Sequence, residues 1–364
     1  ENKMQKIIVL GGGMVGSVIA RDMQNSGYIV TVADIDESIM PKLDCYGVKF
    51  HKLDFLSEKD VLDIVKSFDL VIGAVPGFMG RKILELVVKA KRNYVDISFM
   101  PEDSKEFTEL AIANDITVLT DAGVAPGLSN LLFGRALSEY DHLNLANCYV
   151  GGLPQNPEPP WLYKSVFSPI DVIEEYTRPA RFVKDGKIVT KPAMTDLESI
   201  DFEGIGQLDA FNSDGLRSLM DLPIPNMVEK TLRYPGHIQK IIEMRDKGLL
   251  ESDKINETAS KLISAWEPSE LDYDQTILRV EFAGIKDGKE KREVYDLIDR
   301  YDQENNVSSM ARTTGYTCTA CASLLLSGKF LKKGLFNLES LGQDPELVNL
   351  ILLYLSDRNV NFEF

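Results

Sequence analysis

The chain has 364 residues, 56 of them acidic and 40 basic, for a formal net charge of −16. Hydrophobic residues at 44% and charged ones at 26% describe an ordinary globular chain rather than a disordered one, and the length suits two domains. The acidic balance, with no Lys/Arg block, argues against nucleic acid or an anionic membrane as the main ligand.

No apolar run approaches the ~18–20 residues that a membrane span needs. Lys6–Leu10 is short and leads straight into glycines, so no signal peptide is expected, and the residues before Met4 read as extraneous. Four cysteines are too few for a disulfide framework and fit a reducing, cytoplasmic setting. His51, His142 and His237 form no HxxxH or HExxH pair, so no metal site is expected.

The first third alternates strand and helix patterns. Lys6–Leu10 predicts a strand, Met14–Ser26 a helix stopped by Gly27, and Tyr28–Ala33 a second strand ending at Asp34. Val48–Leu53 alternates as a third strand, and Ser57 with Asp60 predicts a capping box opening a helix over Glu58–Phe68. Strands then follow at Leu70–Val75, Tyr94–Ser98 and Ile116–Leu119, with helices at Arg81–Ala90 and Asp103–Asn114. Such alternation implies right-handed βαβ crossovers and a parallel sheet covered on both faces.

The pattern changes after Asp121. Gly127–Tyr140 predicts a helix, Asn156–Pro160 a rigid loop, and Ser168-Pro169 an N-cap for a helix over Ile170–Tyr176. Asp185-Gly186 and Asp287-Gly288 each predict a hairpin, the second joining Thr276–Ile285 to Glu290–Tyr301. Ser308–Leu326 and Pro345–Leu355 read as helices, with a β-like tail at Val360–Phe364. The fold class is therefore α/β: an N-terminal doubly wound parallel sheet, then an α+β domain with an antiparallel sheet. The boundaries expected are 1–125, 126–307, and a segment 308–364 returning to the first domain.

Gly11, Gly13 and Gly16 match GxGxxG after a strand and at a helix start, the context of a dinucleotide-binding Rossmann fold. Gly11 allows the tight turn, Gly13 lets the backbone approach a pyrophosphate, and Gly16 lets helix and strand pack closely. Met14 and Val15 complete that loop. Asp34 lies where a carboxylate would hold the adenosine ribose hydroxyls and repel a 2′-phosphate. Ile35, Asp36 and Glu37 add no cation for that phosphate, so NAD is expected over NADP. Asp54, Ala74, Val75, Pro76 and Ser98, at the ends of other strands, complete the expected cofactor contacts.

Several segments together resemble the saccharopine dehydrogenase family. They are the glycine loop, Asp121–Gly127, Tyr149–Pro154, Tyr163–Pro169, Ser213–Arg217 and Thr231–His237. The glutamate-forming branch is longer, prefers NADP, and carries Asp and Cys where this chain has Ala125 and Val150. Val95–Glu102, Ile173–Arg181 and Asp34 are more similar to the L-lysine 6-dehydrogenase branch. That resemblance implies NAD-dependent oxidative deamination of L-lysine at the ε-carbon by a homodimer.

Removing hydride from a carbon bearing nitrogen needs a neutral amine and a base near the working pH. His237, after a Pro-Gly turn at a helix start, is the first candidate, since a helix N-terminus would keep it neutral. Asp96, at a strand's carboxyl end, is the second. Arg233 is the first choice for the amino acid's carboxylate, followed by Arg217 and Lys164. Tyr163 and Phe167 could wall the aliphatic chain. Cys318 and Cys321 form an isolated CxxC in an apolar helix and read as packed thiols. Two other readings stay open: a saccharopine-type reductase, and an NAD-binding sensor or scaffold without catalysis. A hydrolase is weaker, because no Gly-x-Ser-x-Gly elbow is present.

Overall fold

The structure, a computed structural model, describes residues 4–167 and 169–363. In chain order the elements are β1 (Lys6–Leu10), α1 (Met14–Asn25), β2 (Ile29–Asp34), α2 (Met40–Asp44), β3 (Lys49–Lys52), α3 (Glu58–Val65), β4 (Leu70–Gly73), α4 (Gly77–Lys89), β5 (Asn93–Asp96), α5 (Thr108–Ala113), β6 (Thr117–Leu119) and α6 (Leu128–Glu139). Then come β7 (His142–Pro154), α7 (Pro169–Thr177), β8 (Ala180–Lys184), β9 (Lys187–Lys191), β10 (Glu198–Phe202), β11 (Gly206–Asn212), β12 (Asn226–Arg233), α8 (His237–Asp246), α9 (Ile255–Ala265), β13 (Asp274–Lys286) and β14 (Lys289–Arg300). The chain closes with α10 (Ser309–Leu326), β15 (Gly334–Phe336), α11 (Leu338–Gly342), α12 (Pro345–Ser356) and β16 (Phe362–Glu363). No described helix is long and apolar enough to cross a membrane.

The chain divides into two compact units. The first runs to Arg135 and adds Ala311–Asn359. Its sheet has the order β15-β6-β5-β4-β1-β2-β3, with every neighbouring pair parallel. The strands β1 and β4 are buried almost throughout, as a sheet covered on both faces requires. One face packs Ile8, Leu10, Val71, Tyr94 and Val118 against Ile83, Val87 and Ala111 of α4 and α5. The C-terminal segment is pinned to α1 through Asp22. One of its oxygens takes the Arg358 Nε–H at 2.7 Å, and the other takes the hydroxyls of Thr319 and Tyr354 at 2.6 and 2.8 Å.

The second unit comprises Ala136–Met310 and Val360–Phe364. Its sheet runs β10-β11-β12-β7-β13-β14-β16, with the β8–β9 hairpin attached to β12. Both Asp-Gly turns are hairpins with positive φ at each central residue, 49° and 74° at Asp185-Gly186 and 52° and 70° at Asp287-Gly288. That geometry matches the right-handed twist of the flanking strands. Helices α7, α8 and α9 bring Val172, Ile238, Ile241 and Leu262 into one buried cluster with Phe211 and Trp266.

Four expectations need correction. The second sheet is mixed, because β12 runs parallel to β7 after the long crossover through α7. The first unit extends to Arg135 rather than residue 125, since the first two turns of α6 belong to it. The tail β16 pairs with β14 and so joins the second unit. Ser57 forms no capping box: its hydroxyl donates to the Asp60 carboxylate at 2.6 Å and caps no backbone N–H. The Ser168 N-cap and the last tail residue, Phe364, lie outside the described residues.

Candidate functional site

In the first unit β1 and β4 are neighbours whose connections depart in opposite directions, so their carboxyl ends frame the crevice where doubly wound sheets bind ligands. Gly11 turns there with φ 102°, and a Cβ on it would lie 2.4 Å from the Ala74 carbonyl oxygen. A Cβ on Gly16 would lie 2.0 Å from the Gly11 oxygen, so α1 can approach the strand only without one. Gly13 is different: it is exposed, and nothing stands within 4 Å of where its Cβ would be. It begins α1 with no side-chain cap and no acid in the first turn. The result is an open cradle of backbone N–H groups at the positive end of a helix, which fits a pyrophosphate.

The Asp34 carboxylate is planted on this loop. Its Oδ2 accepts the Gly12 N–H at 2.6 Å, and its Oδ1 accepts the Asp36 N–H at 3.0 Å. Gly12 is crowded by side chains: a Cβ would lie 2.2 Å from Ile39 Cδ1 and 2.8 Å from Val32 Cγ1, so Ile39 would have to move to admit one. Sequence reasoning passed over Gly12, although the unbroken glycine run was its signal. Met14 and Ile35 are exposed beside the loop, at 49% and 57%. Pro76 is exposed at the start of α4, Ala74 is half-buried, and Val75 is buried in the core. Asp54 is exposed, its Oδ1 taking the Leu56 N–H at 2.9 Å. The residues present fit a dinucleotide.

Asp96 and Ser98 are buried together at the end of β5. The Ser98 hydroxyl donates to Asp96 Oδ2 at 2.5 Å, while Oδ1 takes the Ser98 N–H at 3.2 Å and the Tyr94 hydroxyl at 3.1 Å. Gly73 makes room for this: a Cβ there would lie 1.8 Å from the Tyr94 oxygen. Burial pushes the Asp96 carboxyl up to about 7, against the Ser98 and Tyr94 hydrogen bonds and with help from nearby Asp121. On the same unit the CxxC thiols are buried, and burial alone pushes Cys321 up to about 12. They pack as small apolar groups.

The second unit gathers Arg233, His237 and Tyr163 around three unexpected residues, Tyr176, Glu175 and Trp266. Arg233 ends β12 and His237 begins α8, the turn between them being closed by Gly236 at φ 101°. Tyr176, near the end of α7, stands between the two. Arg233 Nε–H donates to the Tyr176 oxygen at 2.8 Å, and that hydroxyl lies 2.8 Å from His237 Nε2. His237 Nδ1 faces the Trp161 carbonyl at 2.7 Å. A carbonyl only accepts, so Nδ1 carries the proton and Nε2 accepts from Tyr176.

The Arg233 guanidinium lies 4.5 Å from the Tyr163 ring centroid, and its Nη2 pairs with Glu175 Oε2 at 2.9 Å. Its Nη1 donates to the Leu232 carbonyl at 2.8 Å. Trp266 packs edge-on against both Tyr163 and Tyr176. The Tyr163 hydroxyl and the Trp266 indole N–H find no hydrogen-bond partner among the described residues.

His237 is neutral, held down at about 3 by burial first and by Arg233 second. The neutrality expected from a helix N-terminus thus has a different cause. Glu175 keeps 26% of its side-chain surface open, and burial of the rest raises its carboxyl.

Phe167 packs at the edge of this cluster. Lys164 points elsewhere, donating to the Glu267 carbonyl at 3.1 Å with Asp272 at 3.8 Å. Arg217 stands in a 3₁₀ turn with φ 51°. Tyr176, Glu175 and Trp266 were invisible to spacing arguments, because each meets Arg233 or His237 only through the packing of α7 and α9 on the sheet.

Residues 7–120 match the family model for the saccharopine dehydrogenase NADP-binding domain, and residues 123–360 match that for the saccharopine dehydrogenase C-terminal domain. The chain belongs to the saccharopine dehydrogenase family. Among its relatives is the NADP-dependent, L-glutamate-forming saccharopine dehydrogenase of Pyricularia oryzae, 27% identical over 75% of this chain and 66% of that one. The chain therefore spans just under two thirds of that relative. Carboxyaminopropylagmatine dehydrogenase of Synechocystis sp. is 23% identical over 95% of both chains. The solved structure of apo saccharopine dehydrogenase (L-Glu forming) from Saccharomyces cerevisiae shares the fold, with a TM-score of 0.82, 19% identity and 99% of both chains covered.

Proposed function

We propose that this family member oxidises the ε-carbon of L-lysine with NAD, as an L-lysine 6-dehydrogenase does. Lysine, water and NAD would give ammonium, NADH, one proton and 2-aminoadipate 6-semialdehyde, which cyclises to piperideine-6-carboxylate with loss of water. The observation that carries the cofactor choice is Asp34, fixed on the Gly12 N–H with only acidic and apolar residues following it in Ile35, Asp36 and Glu37. Support for the substrate comes from Ala125 and Val150, which replace the acid and thiol that mark the glutamate-forming branch.

When bound, NAD supplies the hydride acceptor. Gly11, Gly13, Met14, Val15 and Gly16 would hold its pyrophosphate, Asp34 and Ile35 its adenosine, and Asp54, Ala74, Val75 and Pro76 the remaining rim. Arg233 retains two N–H groups beyond those given to Tyr176, Leu232 and Glu175, and these would receive the α-carboxylate. Tyr163 and Phe167 would flank the aliphatic chain, with Lys164 and Arg217 as further cations. Of the two candidate bases, Asp96 suits proton acceptance, because its carboxyl lies near neutrality and the Ser98 hydroxyl can relay to it. His237, at about 3, instead orients Tyr176 and through it Arg233. A homodimer in a reducing cytoplasm goes with this reading, and sedimentation tests the dimer.

A second reading is favoured by the Synechocystis relative, which matches end to end and is named for a carboxylated amine. On that reading the bond oxidised is the C–N bond of a carboxylated secondary amine such as saccharopine. Following NADH absorbance with lysine and saccharopine side by side separates the two: turnover of saccharopine alone would discard the lysine reading. NAD binding with no turnover on either would leave the sensor reading.

A further inference from the structure

The turn after β2 carries a second charge arrangement that the glycine motif does not anticipate. Lys52, the last residue of β3, is the register partner of Asp34 across the β2–β3 pair. Its ammonium is held by Glu37 Oε2 at 3.1 Å. Glu37 is not free to wander along the backbone. Asp34 Oδ1 takes the Asp36 N–H at 3.0 Å, and Asp36 Oδ1 takes the Ser38 N–H at 2.9 Å, so the turn that presents Glu37 is tied to the same carboxylate that holds Gly12. The side chains of Lys52 and Glu37 are both more than half exposed, at 60% and 58%.

We infer that the Glu37–Lys52 pair is a second determinant of cofactor choice: Glu37 occupies the one cation that β3 presents beside Asp34 and so denies it to a 2′-phosphate. This rests on the NAD reading above and adds a residue to it. A 2′-phosphate carries close to two negative charges and needs a cation where NAD presents only a hydroxyl. Lysine is a compact point charge on a flexible stem, able to turn to a new partner once its present one is neutral. Exposed ion pairs are weak, so the exchange is available at modest cost. Asp34 repels the phosphate directly, while Glu37 withholds the compensating charge.

Calorimetric titration with NAD and NADP of the wild type, Glu37→Gln, Lys52→Met and the double variant tests this without turnover. Glu37→Gln should tighten NADP by about two- to fivefold and leave NAD within about twofold, as the weakness of exposed pairs dictates. The gain should vanish in the double variant, which makes the effect non-additive. A gain that survives without Lys52, or no gain in Glu37→Gln, overturns the inference. Tighter wild-type binding of NADP than NAD would sink the NAD reading instead. That comparison is a separate number from the Lys52-dependent gain.

Discussion

The Tyr176 hydroxyl donates a hydrogen bond to His237 Nε2 across 2.8 Å, and its oxygen accepts one from the Arg233 Nε–H at the same distance. One phenol thus satisfies two buried groups of opposite polarity. Tyr176→Phe keeps the ring packing and leaves both groups unpartnered, a loss of about 1–3 kcal/mol in urea unfolding. A loss below about 0.5 kcal/mol would mean that solvent reaches the pair, as ordinary surface substitutions behave.

Arg233 neutralises Glu175, and on the proposed function it also receives the substrate carboxylate. Arg233→Ala should raise KM for lysine by about a hundredfold, the range for losing one partner of a buried charge pair, while Kd for NAD stays constant. Equal loss of both would assign Arg233 to folding alone. Arg233→Lys should recover only part, because an ammonium cannot serve Tyr176, Leu232 and Glu175 in one plane.

The two buried titratable groups move stability in opposite directions with pH. His237 is at about 3 in the fold against 6.5 when free, so the unfolded chain binds the extra proton between those values. Stability from this group is complete above 6.5 and is lost as pH falls toward 3. Asp96 is at about 7 against 3.8, so the folded chain holds the extra proton and stability falls as pH rises from about 4 to about 7. Unfolding curves of His237→Gln should show a flatter acid limb, and those of Asp96→Asn a flatter neutral limb. If Asp96 also takes the substrate proton, Asp96→Asn should remove the kcat/KM limb near pH 7 and slow turnover by about a hundredfold or more.

Asp34→Ala should weaken NAD by about tenfold, the worth of a charge-assisted contact to a ribose hydroxyl, and shift relative preference toward NADP. Titration with both cofactors reads this, and an unchanged ratio would remove Asp34 from cofactor choice.

The parallel sheet and both Asp-Gly hairpins were legible because their signals are local: a strand leading into glycines, and dipeptides that accept positive φ at both central positions. The tight turn at Gly11 and the close helix approach at Gly16 were legible for the same reason. The helix expected over Asp103–Asn114 instead opens as a 3₁₀ turn at Ser104–Phe107, where Asp103 accepts the Lys105 N–H at 3.0 Å. The parallel pairing of β12 with β7 was hidden, since some 70 residues of crossover separate them in sequence. The partners of His237 were hidden likewise: Tyr176 is 61 residues away and Trp161 is 76. No periodicity reports a hydrogen bond between a helix end and a loop carbonyl. The burial that lowers His237 and raises Asp96 is a property of packing, which residue type alone does not report.

The central claim is that lysine is oxidised at its ε-carbon with NAD. NADH absorbance at 340 nm, with L-lysine and saccharopine offered separately to the same protein, tests it most directly, 340 nm being about the maximum of the reduced nicotinamide. The account predicts turnover with lysine and NAD, little with NADP, and release of one ammonium per NADH. Turnover with saccharopine and none with lysine would contradict it.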